Sequence, residues 1–141
     1  MNTTDIKFKA FIKRYKAIAE VHSINFATNE IVTYETFGIK ERSIQNVFKQ
    51  NEYELLQYTG MTDANGTEIY RGDYNEDYDV VIWCEQSNGW QWAIYDFPTK
   101  DKIQCHCYHC AGDFNFLDEI KSQVIEGNIF LNPELLEKNN G

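Results

Sequence analysis

The sequence predicts a β-rich α+β fold: a small twisted sheet or partly open barrel with short helices attached. Three observations predict it. Aromatic residues make up 15% of the chain, and rings of this size suit sheets and their cores. The apolar runs are short, and several alternate with polar residues at period two. Turn signals such as Asn65-Gly66 and Asn88-Gly89 punctuate them. The 141 residues, 43% of them hydrophobic, fit one domain able to bury a core. A finer division is an N-terminal subdomain over 1–50 and a β-rich C-terminal subdomain over 51–137.

The elements follow in order. Ile6, Phe8 and Ala10 alternate with Lys7 and Lys9, as in a strand with one wet face. Phe11 to Val21 is open between two readings: Phe11, Ile12, Tyr15, Ile18, Ala19 and Val21 have near-helical spacing, yet a second strand fits too. Ile24 to Tyr34 reads as a hairpin turning at Thr28-Asn29. Ile39 to Phe48 is expected to be a short helix, with Ser43 as a cap and Ile44, Val47 and Phe48 on one face. Glu54 to Thr59 is a strand, Asp63 to Gly66 a turn, and Arg71-Gly72-Asp73 a tight bend after Ile69-Tyr70.

Asp79 to Glu85 and Trp90 to Phe97 form the clearest hairpin, turning at Ser87-Asn88-Gly89. Trp90, Trp92 and Ile94 share one face of it and Gln91, Ala93 and Tyr95 the other. Phe114 to Ile120 is expected to be a short helix, and Gln123 to Phe130 a strand broken at Gly127. Asn132-Pro133-Glu134 then opens a last helix: Asn caps, Pro suits the first turn, and Glu favours the positive end. The core sheet is expected from residues 54–97 and 123–130.

Charge is uneven. The net charge is −9. Residues 1–50 hold 8 Lys+Arg and 5 Asp+Glu; residues 51–141 hold 5 and 17. The C-terminal part repels phosphate, so no direct nucleic-acid contact is expected there, and a basic partner is the complementary inference. Ordinary solubility charge explains the same numbers. No apolar run reaches the roughly 18 residues needed to span a bilayer. Met1 to Asp5 is polar, unlike a secretory leader. A cytoplasmic protein is expected.

Two stretches carry a family resemblance. Leu55 to Asp73, reading LLQYTGMTDANGTEIYRGD, is similar to the pattern Q-Y-T-G-L/M followed by D-x-x-G-x-x-I-Y/F-x-G-D of the YopX family. Gly127-Asn128-Ile129 and Asn132-Pro133-Glu134-Leu135 resemble its G-N-I-x-x-N-P-E-L ending. The opening Ile6 to Phe11 is similar to the family's I-K-F-R-A-W start. These anchors bracket nearly the whole chain in the right order. The chain departs from the pattern at Tyr74-Asn75, where an apolar residue is usual after Gly-Asp, and at Glu126 before Gly127. The resemblance implies a phage or prophage origin and a fold; it implies no established activity. Within the motif, Gly60, Gly66 and Gly72 are expected where side chains do not fit.

Three constellations bear on chemistry. Cys105, Cys107 and Cys110 crowd into six residues with His106 and His109 among them. With Cys84 they compose a tetrahedral zinc set, the histidines being substitutes. A reduced thiol cluster packed beneath Tyr108 is the plainer alternative, since no second C-x-x-C follows. Adjacent Cys and His on a strand point apart, so they make a poor nucleophile–base pair. The second constellation is the acidic run Asp73, Glu76, Asp77, Asp79 and Glu85. It reads as a solvated loop, a cation site, or a row of carboxylates at about 6–7 Å that mimics phosphates. The third is the aromatic set Tyr78, Trp83, Trp90, Trp92 and Tyr95. With rings on both faces, either both faces are internal or one is left for a partner. His22 stands alone and suggests nothing.

The expected function is that of a non-enzymatic phage or prophage accessory protein. It would bind a protein, such as a host nuclease or defence system with a basic groove, and need no cofactor. The partner-facing residues would be Asp73, Glu76, Asp77, Asp79, Glu85, Tyr78, Trp90 and Trp92. The alternatives are a homo-oligomeric assembly protein and a zinc-dependent binding module on Cys84, Cys105, Cys107 and Cys110.

Overall fold

The structure, a computed structural model, describes residues 6–34, 45–96, 101–105 and 122–131. Among the described residues there are twelve strands, and the chain divides into two compact units, Met1–Gln57 and Tyr58–Gly141. The division falls within the ten-residue strand β6 (Tyr53–Thr62).

In the first unit, β1 (Phe8–Ile12) pairs with β2 (Ala17–Glu20) on one side and with β6 (Tyr53–Thr62) on the other. Ile12 lies opposite Ala17 and Tyr53. A second sheet has β4 (Glu30–Thr33) between β3 (Ser23–Asn25) and β5 (Asn46–Phe48). Alternation decides what is buried. Ala10, Ile12 and Ala19 from one sheet meet Ile31 and Phe48 from the other, with Val21, Ile24, Tyr53 and Leu55 packed around them.

In the second unit, the end of β6 pairs with β7 (Glu68–Tyr70), Thr62 opposite Glu68. A five-stranded antiparallel sheet runs β11 (Asp101–Cys105), β10 (Gly89–Asp96), β9 (Val80–Cys84), β8 (Asp73–Asn75), β12 (Ile125–Asn128). Both faces of its centre are packed. Val80, Ile82, Cys84 and Ala93 join Tyr74, with Tyr78 and Ile129 against them. On the other face Val81 and Trp92 join Ile69, with Met61, Trp90 and Ile125.

The helical part of the expected α+β class is corrected: among the described residues there is no α-helix. Phe11 to Val21 is not a helix but the β1–β2 hairpin, because the polar stretch Lys13–Lys16 turns the chain and Ile18 and Ala19 resume the period-two pattern. Val47 and Phe48, expected on a helix, lie in β5 and bury only Phe48, as alternation requires. The helices expected at Phe114–Ile120 and from Asn132 lie outside the described residues, as do residues 35–44. No helix among the described residues is long and apolar enough to cross a membrane.

Candidate functional site

The bend Arg71-Gly72-Asp73 is tied to β12 and its following turn. Asp73 is only 9% exposed. Its Oδ2 accepts from Tyr70 N–H at 2.8 Å, and its Oδ1 accepts from Asn128 Nδ2 at 2.9 Å. Asn128 Nδ2 also donates to the Arg71 carbonyl at 3.1 Å, and Asn128 Oδ1 accepts from Phe130 N–H at 3.0 Å. Gly72 has φ +89°, and a Cβ there would come within 3.1 Å of Phe130 and 3.2 Å of the Asn128 amide. Glycine is therefore required twice over, by backbone and by space. At Gly60 and Gly66 the expectation of crowding is corrected. Nothing lies within 4 Å of an added Cβ, and only the positive φ calls for glycine.

Asp63 is a second tie. Its Oδ1 accepts from Asn65 and Thr67 N–H at 2.8 and 2.9 Å, and its Oδ2 from Ile125 N–H at 2.9 Å. Burial alone would raise its pKa, but the donors from Ile125, Thr67, Asn65 and Gly66 outweigh it and hold the carboxyl below the usual value. Sequence reasoning saw the Asp63–Gly66 turn and missed this cross-chain role.

The acidic run does not form one strip. Asp73 faces inward and is consumed by internal donors, so it leaves the partner-facing set. Glu76 and Asp77 are exposed at the β8–β9 turn, with Tyr78 and Asp79 half-buried. Asn75 orders that turn: its Oδ1 accepts from Asp77 and Asp79 N–H at 3.0 and 2.9 Å, and its Nδ2 donates to Gln123 Oε1 at 2.9 Å. Glu85 is exposed beyond the far end of β9. Six residue steps along β9 place it roughly 20 Å from Asp79.

The aromatic set is likewise divided. Trp92 is 1% exposed and belongs to the core, so it cannot meet a partner. Tyr78 packs on Tyr74 with ring centroids 5.9 Å apart. Trp83 and Trp90 are cross-strand neighbours, edge to face at 5.4 Å and 83°. Trp90 rests on the Ile69–Val81–Trp92 cluster, while Trp83 is 46% exposed. Trp83 and the exposed Glu85 thus mark the turn end of the β9–β10 hairpin.

Strand register separates two of the expected thiolates. Cys84 is buried at the end of β9, opposite Gly89. Cys105 lies opposite Ala93 on β10, which in turn lies opposite Val80. Two strand spacings and four residues along give about 16 Å between their Cα atoms. Thiolates on one zinc lie within about 4 Å of each other, since each Zn–S bond is about 2.3 Å. Cys84 and Cys105 therefore cannot share an ion, which corrects the four-thiolate set. Cys107, Cys110, His106 and His109 lie outside the described residues. Among the described residues no three metal-ligating side chains gather.

No curated protein matches the chain significantly. Its fold is similar to that of protein EF1440 from Enterococcus faecalis, known from a crystal structure. The TM-score is 0.54 and the identity 25%, over 93% of this chain and 97% of that one. The bend at Gly72-Asp73 and the strand at Gly127-Asn128, which the Asp73–Asn128 bond joins, are the two stretches that carried the resemblance in the sequence. They lie within the span, residues 7–137, that the profile of the YopX protein family matches, and the chain belongs to that family.

Proposed function

We propose that this YopX protein acts by binding another protein through the turn end of the β9–β10 hairpin, without turnover. The observation that carries the reading is Trp83, a large ring left 46% exposed yet held edge-on by the core-anchored Trp90. A pre-oriented Trp loses little conformational freedom on binding and is a favoured interface anchor. Glu85 beside it, and the 17 Asp+Glu against 5 Lys+Arg of residues 51–141, favour a basic partner and steer it. Among the described residues the two most buried carboxylates, Asp63 and Asp73, are both turned to backbone or amide donors, which supports a binding role over acid–base chemistry. The reading is of a phage or prophage accessory protein in the bacterial cytoplasm. Its target class is a host nuclease or defence protein with a basic groove. Since the carboxylates form no continuous strip, charge guides the encounter and Trp83 anchors it.

Affinity capture from lysogenic or infected cells, followed by titration of the purified partner, tests this. Trp83→Ser is expected to weaken that binding at least about tenfold, as loss of an anchor does, and Glu85→Lys to slow association. Equal binding by Trp83→Ser and wild type overturns the reading. A second occupant of the same ring is another copy of the chain, favoured by Ile94, which is also exposed and on the Trp83 face. Light scattering distinguishes it: a 16.6 kDa species at micromolar concentration removes self-association.

A further inference from the structure

The three loops at one end of the first unit make a surface of a different character. They are Lys13–Lys16 between β1 and β2, Phe26–Asn29 between β3 and β4, and Lys49–Glu52 between β5 and β6. The third loop joins the other two. Lys13 N–H donates to the Glu52 carbonyl at 3.1 Å, Asn29 Nδ2 to Gln50 Oε1 at 3.3 Å, and Tyr53 O–H to the Asn29 carbonyl at 2.7 Å. Each loop turns sharply through one non-glycine residue of positive φ: Lys16 at +49°, Asn29 at +57°, Asn51 at +79°.

What the loops present is rings and cations. Phe26 is 77% exposed and Tyr15 36%. Arg14, Lys16 and Lys49 are exposed, and the Arg14 guanidinium lies 5.5 Å from the Tyr15 ring centre. Two of the nearby carboxylates have local partners. Glu54 pairs with Lys13 at 3.7 Å, and Glu52 Oε1 accepts from Lys49 N–H at 2.8 Å. Lys16 is the telling position. Left-handed backbone suits Gly or Asn and costs a lysine something, so backbone conformation does not account for lysine there.

We infer that this loop end is a platform for single-stranded nucleic acid, with bases stacking on Tyr15 and Phe26 and phosphates meeting Arg14, Lys16 and Lys49. Rings interleaved with cations suit a strand whose bases are free to stack, whatever their sequence. An acidic peptide would use the cations and leave Phe26 without a purpose. A duplex hides its base faces and would do the same. The chain's net charge of −9 does not forbid the contact, because charges beyond about 8 Å are screened at physiological salt. The inference is independent of the protein-binding role proposed for Trp83.

The test is fluorescence anisotropy of labelled oligo(dT) and oligo(U), about twelve nucleotides long, with the full chain at about 50 mM salt. The expected result is saturable binding to both. Its log–log salt slope should be about −2, from three cations at about 0.7 each. Phe26→Ala and Tyr15→Ala should each weaken it about tenfold. Lys16→Asn should weaken it several-fold while keeping or raising Tm, since Asn accepts the left-handed backbone; that separates lost contact from lost fold. Absence of saturable binding overturns the inference. So does equal binding by Phe26→Ala, duplex binding as tight as single-strand binding, or displacement by poly-glutamate at matched charge, which would mark an acidic protein as the partner.

Discussion

The Asn128 side-chain amide donates to Asp73 Oδ1 at 2.9 Å, joining two residues 55 positions apart in the chain. The bond fastens the Gly72 bend to β12 and satisfies both buried partners. Removing the amide takes one donor from a buried carboxylate and one from the Arg71 carbonyl. Asn128→Ala is therefore expected to cost about 2–3 kcal/mol, the loss of one hydrogen bond to a charged group and one to a neutral group, read by denaturant melts. Gly72→Ala should cost more than Gly60→Ala. Both residues have positive φ, but only at Gly72 does a Cβ meet neighbours at 3.1–3.3 Å. Equal losses at the two positions would show that backbone conformation alone sets the cost.

Asp63 gives a pH dependence with a definite sign. Burial raises its pKa, but the N–H donors of Ile125, Thr67, Asn65 and Gly66 prevail and the net shift is downward. A carboxyl whose folded pKa lies below its unfolded value binds protons more weakly when folded. The stabilisation is thus fully present above the unfolded value of about 3.9 and is lost as pH falls through the folded value. The Tm of Asp63→Asn should be lower than wild type at neutral pH and fall less steeply on acidification below about pH 4. Parallel Tm profiles for the two proteins would dismiss Asp63 as an acid-sensitive tie.

These ties mark where sequence reading stopped. The β9–β10 hairpin was legible because Val80 to Cys84 and Trp90 to Ile94 are strongly apolar and flank Asn88-Gly89. The Asp63–Gly66 turn was legible for its Asn-Gly pair. Phe11 to Val21 was ambiguous because two strands joined by a four-residue turn can place apolar residues at helical intervals; the polar Lys13–Lys16 tip was the discriminating signal. The strand β5 spans only Asn46–Phe48, too short to show a period. Asp73 reads as surface charge because composition cannot reveal that a backbone N–H and a side-chain amide engage the carboxylate. Its position in a tight Gly-Asp bend is the available hint. The Lys13–Lys16, Phe26–Asn29 and Lys49–Glu52 loops are each unremarkable in sequence, and only the pairing of β1 with β6 and β4 with β5 brings them to one end.

Cys84 supplies a prediction for metal. Since register keeps it from sharing an ion with Cys105, Cys84→Ala should leave the zinc content of the purified protein unchanged, whatever that content is. Peptide-level alkylation should modify Cys84 only after unfolding, because the residue is 2% exposed and buried thiols are inert. Loss of bound zinc in Cys84→Ala, with the fold kept, would show that Cys84 ligates the metal with residues other than Cys105.

Trp83 and Trp92 lie on the same face of one hairpin and should behave oppositely. Trp92 is enclosed by Ile69 and Val81, with Met61 and Ile125 packed against that cluster. Truncating it opens a cavity and should cost about 3–5 kcal/mol, enough to unfold a marginal domain. Trp83 gives up only its exposed edge and the contact with Trp90, so Trp83→Ser should cost about 1 kcal/mol. Fluorescence reads the difference without a partner: acrylamide should quench Trp83 in the native protein and leave Trp92 shielded, and the quenched fraction should fall in Trp83→Ser. The same variant then becomes the clean probe of binding, because its fold is retained. If Trp83→Ser instead unfolds the protein, the ring is a structural brace and not an anchor, and the hairpin end loses its claim as the interface.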